Sequence, residues 1–283
     1  MRNTLKKILY LFYATVVTSV KSNMVLFIIF SSFFNHIFYT NYLYHLEKVN
    51  TSQEVNKIDK RYRHEWKHEI NYSDLLAIRQ RLSAVATADP HAKGGKYHIR
   101  SLYFDNPDDK ALREKIDGVN GREKFRIRYY NYDTSIINLE KKSRLNGLGT
   151  KYSARLSADQ VQKIISGDIE FMRDDENPLI QELYCKMIYQ RLRPKTIVDY
   201  EREPYIYVPG NVRVTFDYDI RTGLTGTDFL NPDCITVEAV RDKTIILEVK
   251  WDDFLPSIIR DCVNVRGRHV TAFSKYAQCR LYG

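Results

Sequence analysis

The sequence has little of what punctuates or cross-links a chain. Twelve Gly and eight Pro in 283 residues are too few for a fibrous or linker-rich protein. The four cysteines, Cys185, Cys234, Cys262 and Cys279, show no Cys-x-x-Cys spacing and no companion His cluster. That argues against a zinc site and for reduced thiols of a cytosolic protein. No Gly-rich phosphate loop of the Walker type occurs, because Lys93-Gly94-Gly95-Lys96 lacks the spacing. No internal repeat follows residue 61. A large basic excess is also missing. The net charge is +9, and the first 48 residues, with five Lys/Arg against one Glu, carry +4 of it. A nucleic-acid surface would show more, so no nucleic acid is expected as partner. A polyanion could be held only by positive charge concentrated locally. What is present is an ordinary globular balance, 43% hydrophobic with 13% aromatic residues, enough to build a core and exclude disorder.

Residues 1–48 differ from the rest. The run 8–20 is uncharged, and 22–45 holds no Lys, Arg, Asp or Glu. Its centre, 24–43, is long enough to cross a bilayer, though Ser31, Ser32, Asn35, His36, Thr40 and Asn41 interrupt it. Three readings stand open: a membrane anchor, a signal peptide led by Arg2, Lys6 and Lys7, or upstream sequence from a mis-assigned start. The expected organisation is this segment, a linker over 49–60, and a folded domain over 61–283.

The folded part reads as short alternating strands with a few helices. Ser73 is placed to cap a helix to about Val85, and Ser157 one that stops at Gly167. Residues 178–192 and 272–281 read as two more. In the strand 122–130, side chains two apart share a face. One face carries Arg122, Lys124, Arg126 and Arg128; the other carries Phe125, Ile127 and Tyr129. Such a row of cations repels itself unless something negative lies opposite. The pattern recurs in Glu65, Lys67 and Glu69, in Glu140 and Lys142, in Tyr200 and Arg202, in Arg213, Thr215 and Asp217, and in Glu248 and Lys250. The expected fold is α+β: a closed antiparallel β-barrel with a charged interior and helices packed outside. Basic residues there suit phosphates, and a few carboxylates suit a hard divalent cation.

The motifs SLYFDN (101–106), the strand 122–130, LEKK (139–142), LEVK (247–250) and SKY (274–276) resemble, in order, the catalytic domain of the vacuolar transporter chaperone (VTC) polyphosphate polymerases. That domain is a triphosphate tunnel metalloenzyme, related to the CYTH proteins, and the chain looks like a stand-alone bacterial version. The resemblance implies a tunnel that binds the triphosphate of ATP and extends a polyphosphate chain. It gives catalytic roles to Arg126, Arg128, Lys142, Arg213 and Lys250. Substrate contacts fall to Lys67, Lys124, Lys151, Tyr200, Arg202 and Lys275, and a metal, Mn2+ or Mg2+, to Glu248. The first strand departs from the CYTH pattern, which leaves Glu65 and Glu69 without an assigned role, and Arg100 falls on the apolar face. The expected partners are ATP and inorganic polyphosphate. The alternatives are a metal-dependent tripolyphosphatase or polyphosphatase, a non-catalytic polyphosphate-binding module, and an outward-facing anchored polyanion binder. Positive charge before a single span would export the domain, away from ATP. The expected location is therefore cytoplasmic, at the inner face of the membrane where residues 8–43 or a membrane protein partner hold it.

Overall fold

The computed structural model describes residues 63–281 except 147, 241 and 242, all within the unit Lys60–Gly283. The hydrophobic segment 1–48 and the linker 49–60 lie outside the described residues, as do the three readings of them. Among the described residues no helix is long and apolar enough to cross a membrane.

The strands are β1 (His64–Ile70), β2 (Thr87–Ala88), β3 (Tyr97–Asp105), β4 (Arg122–Tyr130), β5 (Asp133–Leu145), β6 (Leu148–Leu156), β7 (Arg193–Tyr207), β8 (Val212–Thr222), β9 (Val237–Glu238) and β10 (Ile245–Trp251). They form one antiparallel sheet in the order β1-β10-β8-β7-β3-β4-β5-β6, with β2 on β7 and β9 on β8. The expected closed barrel is not formed. The path ends at β1 and β6, which do not pair, so the sheet is open. The reason lies at the edge of β1. His68 bridges Val270, and the Thr271 N–H donates to the Lys67 carbonyl at 2.8 Å. Edge groups that closure would need are already used. The open sheet is nonetheless curled: Lys250 on β10 and Lys142 on β5, far apart in strand order, come near enough across its concave face for Lys250 to help lower the Lys142 amine.

The six helices are α1 (Tyr72–Ser83), α2 (Lys110–Ile116), α3 (Ala158–Ser166), α4 (Pro178–Tyr189), α5 (Ser257–Val263) and α6 (Lys275–Leu281). The apolar sheet face is covered at one end by α3 and α4. They pack on Leu102, Phe104, Phe125, Ile127 and Leu139. At the other end α1 and α5 pack on Val214, Phe216, Leu247 and Val249. Not every helix lies outside, as the barrel expectation required. Tyr276 and Cys279 of α6, with Ala111 and Leu112 of α2, join Tyr97, Ile99, Tyr103, Val198 and Ile246 on the concave face. Those strand residues form an apolar floor at one end of it.

Local sequence accounts for the helix ends. α3 starts on Ser157, whose side chain and that of Gln160 cap each other, and ends at Gly167 with φ 89°. α1 is capped by Asn71 with Asp74, not by Ser73, since only Asn71 has the extended backbone an N-cap needs. α4 stops at Tyr189, before Leu192; Arg191 turns the chain with φ 55°. One irregularity sets the site. Between Asp199↔Arg221 and Glu201↔Tyr218, β8 has one residue more than β7, and Asp219 takes φ 50°. This bulge moves the concave-facing positions of β8 from Arg213, Thr215 and Asp217 to Ile220 and Thr222.

Candidate functional site

The charged end of the concave face divides into two zones. In the first, cations and carboxylates alternate across β1, β10, β7, β8 and α6. Glu248 sits between Lys250 (2.9 Å), Lys67 (3.4 Å) and Arg202 (3.1 Å). Glu65 reaches the same two lysines, at 3.3 Å from Lys67 and 3.2 Å from Lys250. Arg202 grips fully buried Asp217 through two bonds of 2.6 and 2.7 Å, and Lys275 of α6 meets Asp217 at 2.5 Å. Burial alone would raise the Glu248 carboxyl, but Lys250 and Lys67 hold it well below the usual carboxylate range. The same cause, Arg202 and Lys275 against burial, lowers Asp217.

The second zone, on β3, β4 and β5, is richer in cations than in partners. The Arg126 guanidinium donates to Glu140 (2.7 Å) and to the Tyr103 hydroxyl (2.8 Å). Lys151 on β6 closes on Glu140 from the other side at 2.5 Å. Arg128 is 5% exposed, yet its partners are neutral hydroxyls, among them those of Ser101 (2.9 Å) and Tyr200 (3.0 Å). Among the described residues Arg128, Lys124 and Lys142 make no ion pair. Arg126 and burial push the Lys142 amine well down. Burial, with Lys67 and Arg126 nearby, brings Lys124 down to about 8. Burial would raise Tyr103, but Arg126, Lys124 and Arg128 outweigh it and bring it to about 8. The Tyr200 ring joins the two zones. Arg128, Arg202 and Lys275 lie 5.8, 5.4 and 4.7 Å from its centroid. Buried cations lacking anions are costly unless a ligand supplies the negative charge.

Whether these residues suit a divalent cation turns on Glu65 and Glu248. Among the described residues no group of three or more His, Cys, Asp or Glu is gathered as a metal cage. A hard cation that shares phosphate oxygens with its substrate needs only one or two carboxylates. Glu248 and Glu65 meet that need. Beside Glu248 in register is Thr215, 3% exposed, whose hydroxyl has no hydrogen-bond partner among the described residues. The Arg213 Nε is likewise unpartnered. Unmet polar atoms on this face fit a site completed by a polar ligand.

The VTC domain family matches residues 62–282, most of the chain and all the strands described above. The chain belongs to the VTC domain family. Membership supports phosphotransferase-type chemistry on phosphate chains. Among solved structures, the crystal structure of a candidate adenylate cyclase from Bacillus halodurans aligns at 14% identity and TM-score 0.37. The alignment covers 67% of this chain and 80% of that one. No curated protein matches.

This VTC domain gathers most of the sequence-derived candidates on one face: Lys67, Lys124, Arg126, Arg128, Lys142, Tyr200, Arg202, Glu248, Lys250 and Lys275. Lys151 lies at its β6 edge, more exposed. Arg213 stands at the start of β8, tied to Asp89 (2.9 Å) and to the Tyr97 hydroxyl. Three residues had been seen only as parts of a pattern or of a motif. Asp217 and Glu140 proved to be the buried partners of Arg202, Lys275 and Arg126, and Tyr103 the acceptor under Arg126. The placement of Asp217 two and four residues after Thr215 and Arg213, on the same strand face, was the available signal. Arg100 has a separate job on the opposite face. It grips Asp199 (2.8 Å) and donates to the carbonyls of Asn231 and Pro232, fixing that loop.

Proposed function

We propose that this VTC domain is an ATP-dependent polyphosphate polymerase. The observation that carries the reading is Arg128, buried and, among the described residues, making no ion pair, beside Lys142 and Lys124, which make none either. An elongated polyanion supplies the charge these groups lack. Arg126, Arg128 and Arg213 bind the phosphates of ATP, with guanidinium forks suited to phosphate oxygens. Lys67, Lys142, Lys151, Lys250 and Lys275 supply point charges along the acceptor, and Tyr200 with Arg202 forms the wall between the zones. A terminal phosphate oxygen of the acceptor attacks the γ-phosphorus. The bond from γ-phosphorus to the β–γ bridging oxygen breaks, ADP leaves, and the chain grows by one phosphate. Such transfer needs alignment and charge neutralisation rather than a protein nucleophile. Mn2+ or Mg2+ held by Glu248, with Glu65 beside it, would offset charge on the phosphate oxygens.

A second reading has its own support. The sheet is open between β1 and β6, which favours access of water to the phosphoryl group and hence a tripolyphosphatase. The test is incubation of the full chain with γ-labelled ATP and Mn2+, with Glu248→Ala as control. A ladder of polyphosphate lost in the control is the expected result. Free phosphate without a ladder would replace the polymerase by the hydrolase. Tight polyphosphate binding without turnover would leave a binding module.

A further inference from the structure

Beyond the residues already assigned, the end of β4 nearest α2 carries an arrangement that a fold alone would avoid. Arg122 stands directly opposite Arg144, and Lys124 directly opposite Lys142. Like charges facing each other across strands are destabilising. Lys115 on α2 is drawn into the same group: burial, then Arg122, Lys67 and Arg144, lower its amine. Its Nζ is held by the Ala272 carbonyl at 2.7 Å, and Arg122 is held by the Val119 carbonyl at 2.7 Å. None of the five makes an ion pair among the described residues. The nearest acids on these elements are turned elsewhere, Glu114 to Lys110 and Glu123 to Lys141 and Lys186.

We infer that Lys115, Arg122 and Arg144, continuing from Lys124 and Lys142, form a collar that binds the part of a phosphate chain extending beyond a triphosphate, so that the protein selects long chains over short ones. The inference rests on the reading of the concave face as a phosphate-chain site. Its geometry is simple. From Arg128 to Arg122 the strand runs about 20 Å, further than three phosphates joined by single oxygens can reach. A triphosphate seated at Arg126 and Arg128 leaves Arg122, Arg144 and Lys115 untouched. A longer chain lying along β4 meets them in turn and removes the repulsion between the facing pairs. The collar is less buried than the Arg126–Arg128 region, Arg144 being exposed, so each contact is weaker and a chain can slide past it.

The test uses the full chain and the double variant Arg122→Gln/Arg144→Gln. Calorimetry would measure binding of tripolyphosphate and of long-chain polyphosphate to both proteins. The gain a long chain has from offering many registers is common to both and cancels. The expected result is tripolyphosphate affinity unchanged within about twofold and long-chain affinity reduced about fivefold or more in the variant. The thermal midpoint of the ligand-free variant should hold or rise, because two repelling charges are gone. Equal effects on both ligands, or none on either, would overturn the collar, as would a fall in the thermal midpoint. So would the same long-chain loss in Arg260→Gln, a charge removed on α5 of the opposite face. Wild-type protein that binds no phosphate chain of any length would instead defeat the underlying reading of the site.

Discussion

Arg126 and Arg128 are two residues apart on one strand, yet they answer to different forces. Arg126 neutralises Glu140, which is 2% exposed. Arg126→Met leaves that carboxylate with Lys151 as its one remaining ion-pair partner among the described residues and should cost about 3 kcal/mol, a fall of roughly 6–12 °C in the thermal midpoint. Arg128→Met orphans no charge, so its midpoint should hold or rise, while affinity for tripolyphosphate drops about tenfold or more. Thermal denaturation and calorimetry on the pair check both halves of the contrast. Lys124 and Tyr103, each brought to about 8, respond to pH together. A bound phosphate chain favours the protonated form of both. Binding near pH 8 should therefore take up protons, measurable by calorimetry in buffers of different ionisation heat, and Lys124→Met should reduce the uptake. The arginines were legible as an alternating row. Their difference was not, because it depends on which residue each strand brings opposite. Glu140 lies opposite Arg126 and Asn138 opposite Arg128, and register between strands is not written in either strand alone.

α6 shows how an element can belong to core and site at once. Tyr276 stacks on Tyr103 at 4.9 Å and donates to Asp105 at 2.5 Å, while its neighbour Lys275 holds Asp217. Asp105 also accepts from the backbone of Asn106, Ala111 and Leu112, so one carboxylate fastens α2 and α6 together. Tyr276→Phe keeps the stack and loses one hydrogen bond to a charged group. The expected cost is about 1.5 kcal/mol, a drop of roughly 3–6 °C, with weakened phosphate binding as Lys275 loosens. Arg280→Gln, which breaks only the bond to Asp109, should leave phosphate binding unchanged. Elements with both ends marked were readable: Ser157 and Gly167 bracket α3. α2 and α5, seven residues each, were missed because two turns carry little periodicity and neither has a side-chain cap at its start, whereas α6, equally short, has Ser274 before it. That α6 would turn onto the charged face was not readable, since its apolar side chains suit either face of the sheet.

At the scale of the molecule, acid should be the destabilising direction. Glu140 is held well below the usual range by Arg126 and Arg128 against burial, and Glu248 and Asp217 are lowered in the same sense. Depressed carboxyls stabilise the fold above their unfolded pKa. As pH falls below about 4.5 the unfolded chain takes up protons first, and stability declines until the native groups protonate. Thermal midpoints from pH 7 to pH 3 should fall steeply in the wild type and less steeply in Glu140→Gln, which starts lower. The sequence announced a sheet with one charged and one apolar face. It did not announce whether the sheet closes, because closure is decided where the chain after α5 meets β1, a contact between residues some two hundred positions apart.

The bulge at Asp219 has a consequence best put in terms of inheritance. Removing that one codon would preserve the reading frame and nearly all of the composition. It would also straighten β8, setting Tyr200 opposite Ile220, so that Ile220 and Thr222 keep their place in the floor under α6 and Arg221 stays on the other face. Loss of a codon between Arg213 and Asp217 would instead turn Phe216 onto the charged face and Asp217 among the apolar side chains. A lineage carrying this fold can therefore lose the extra residue of β8 more safely than one of the regular residues before it.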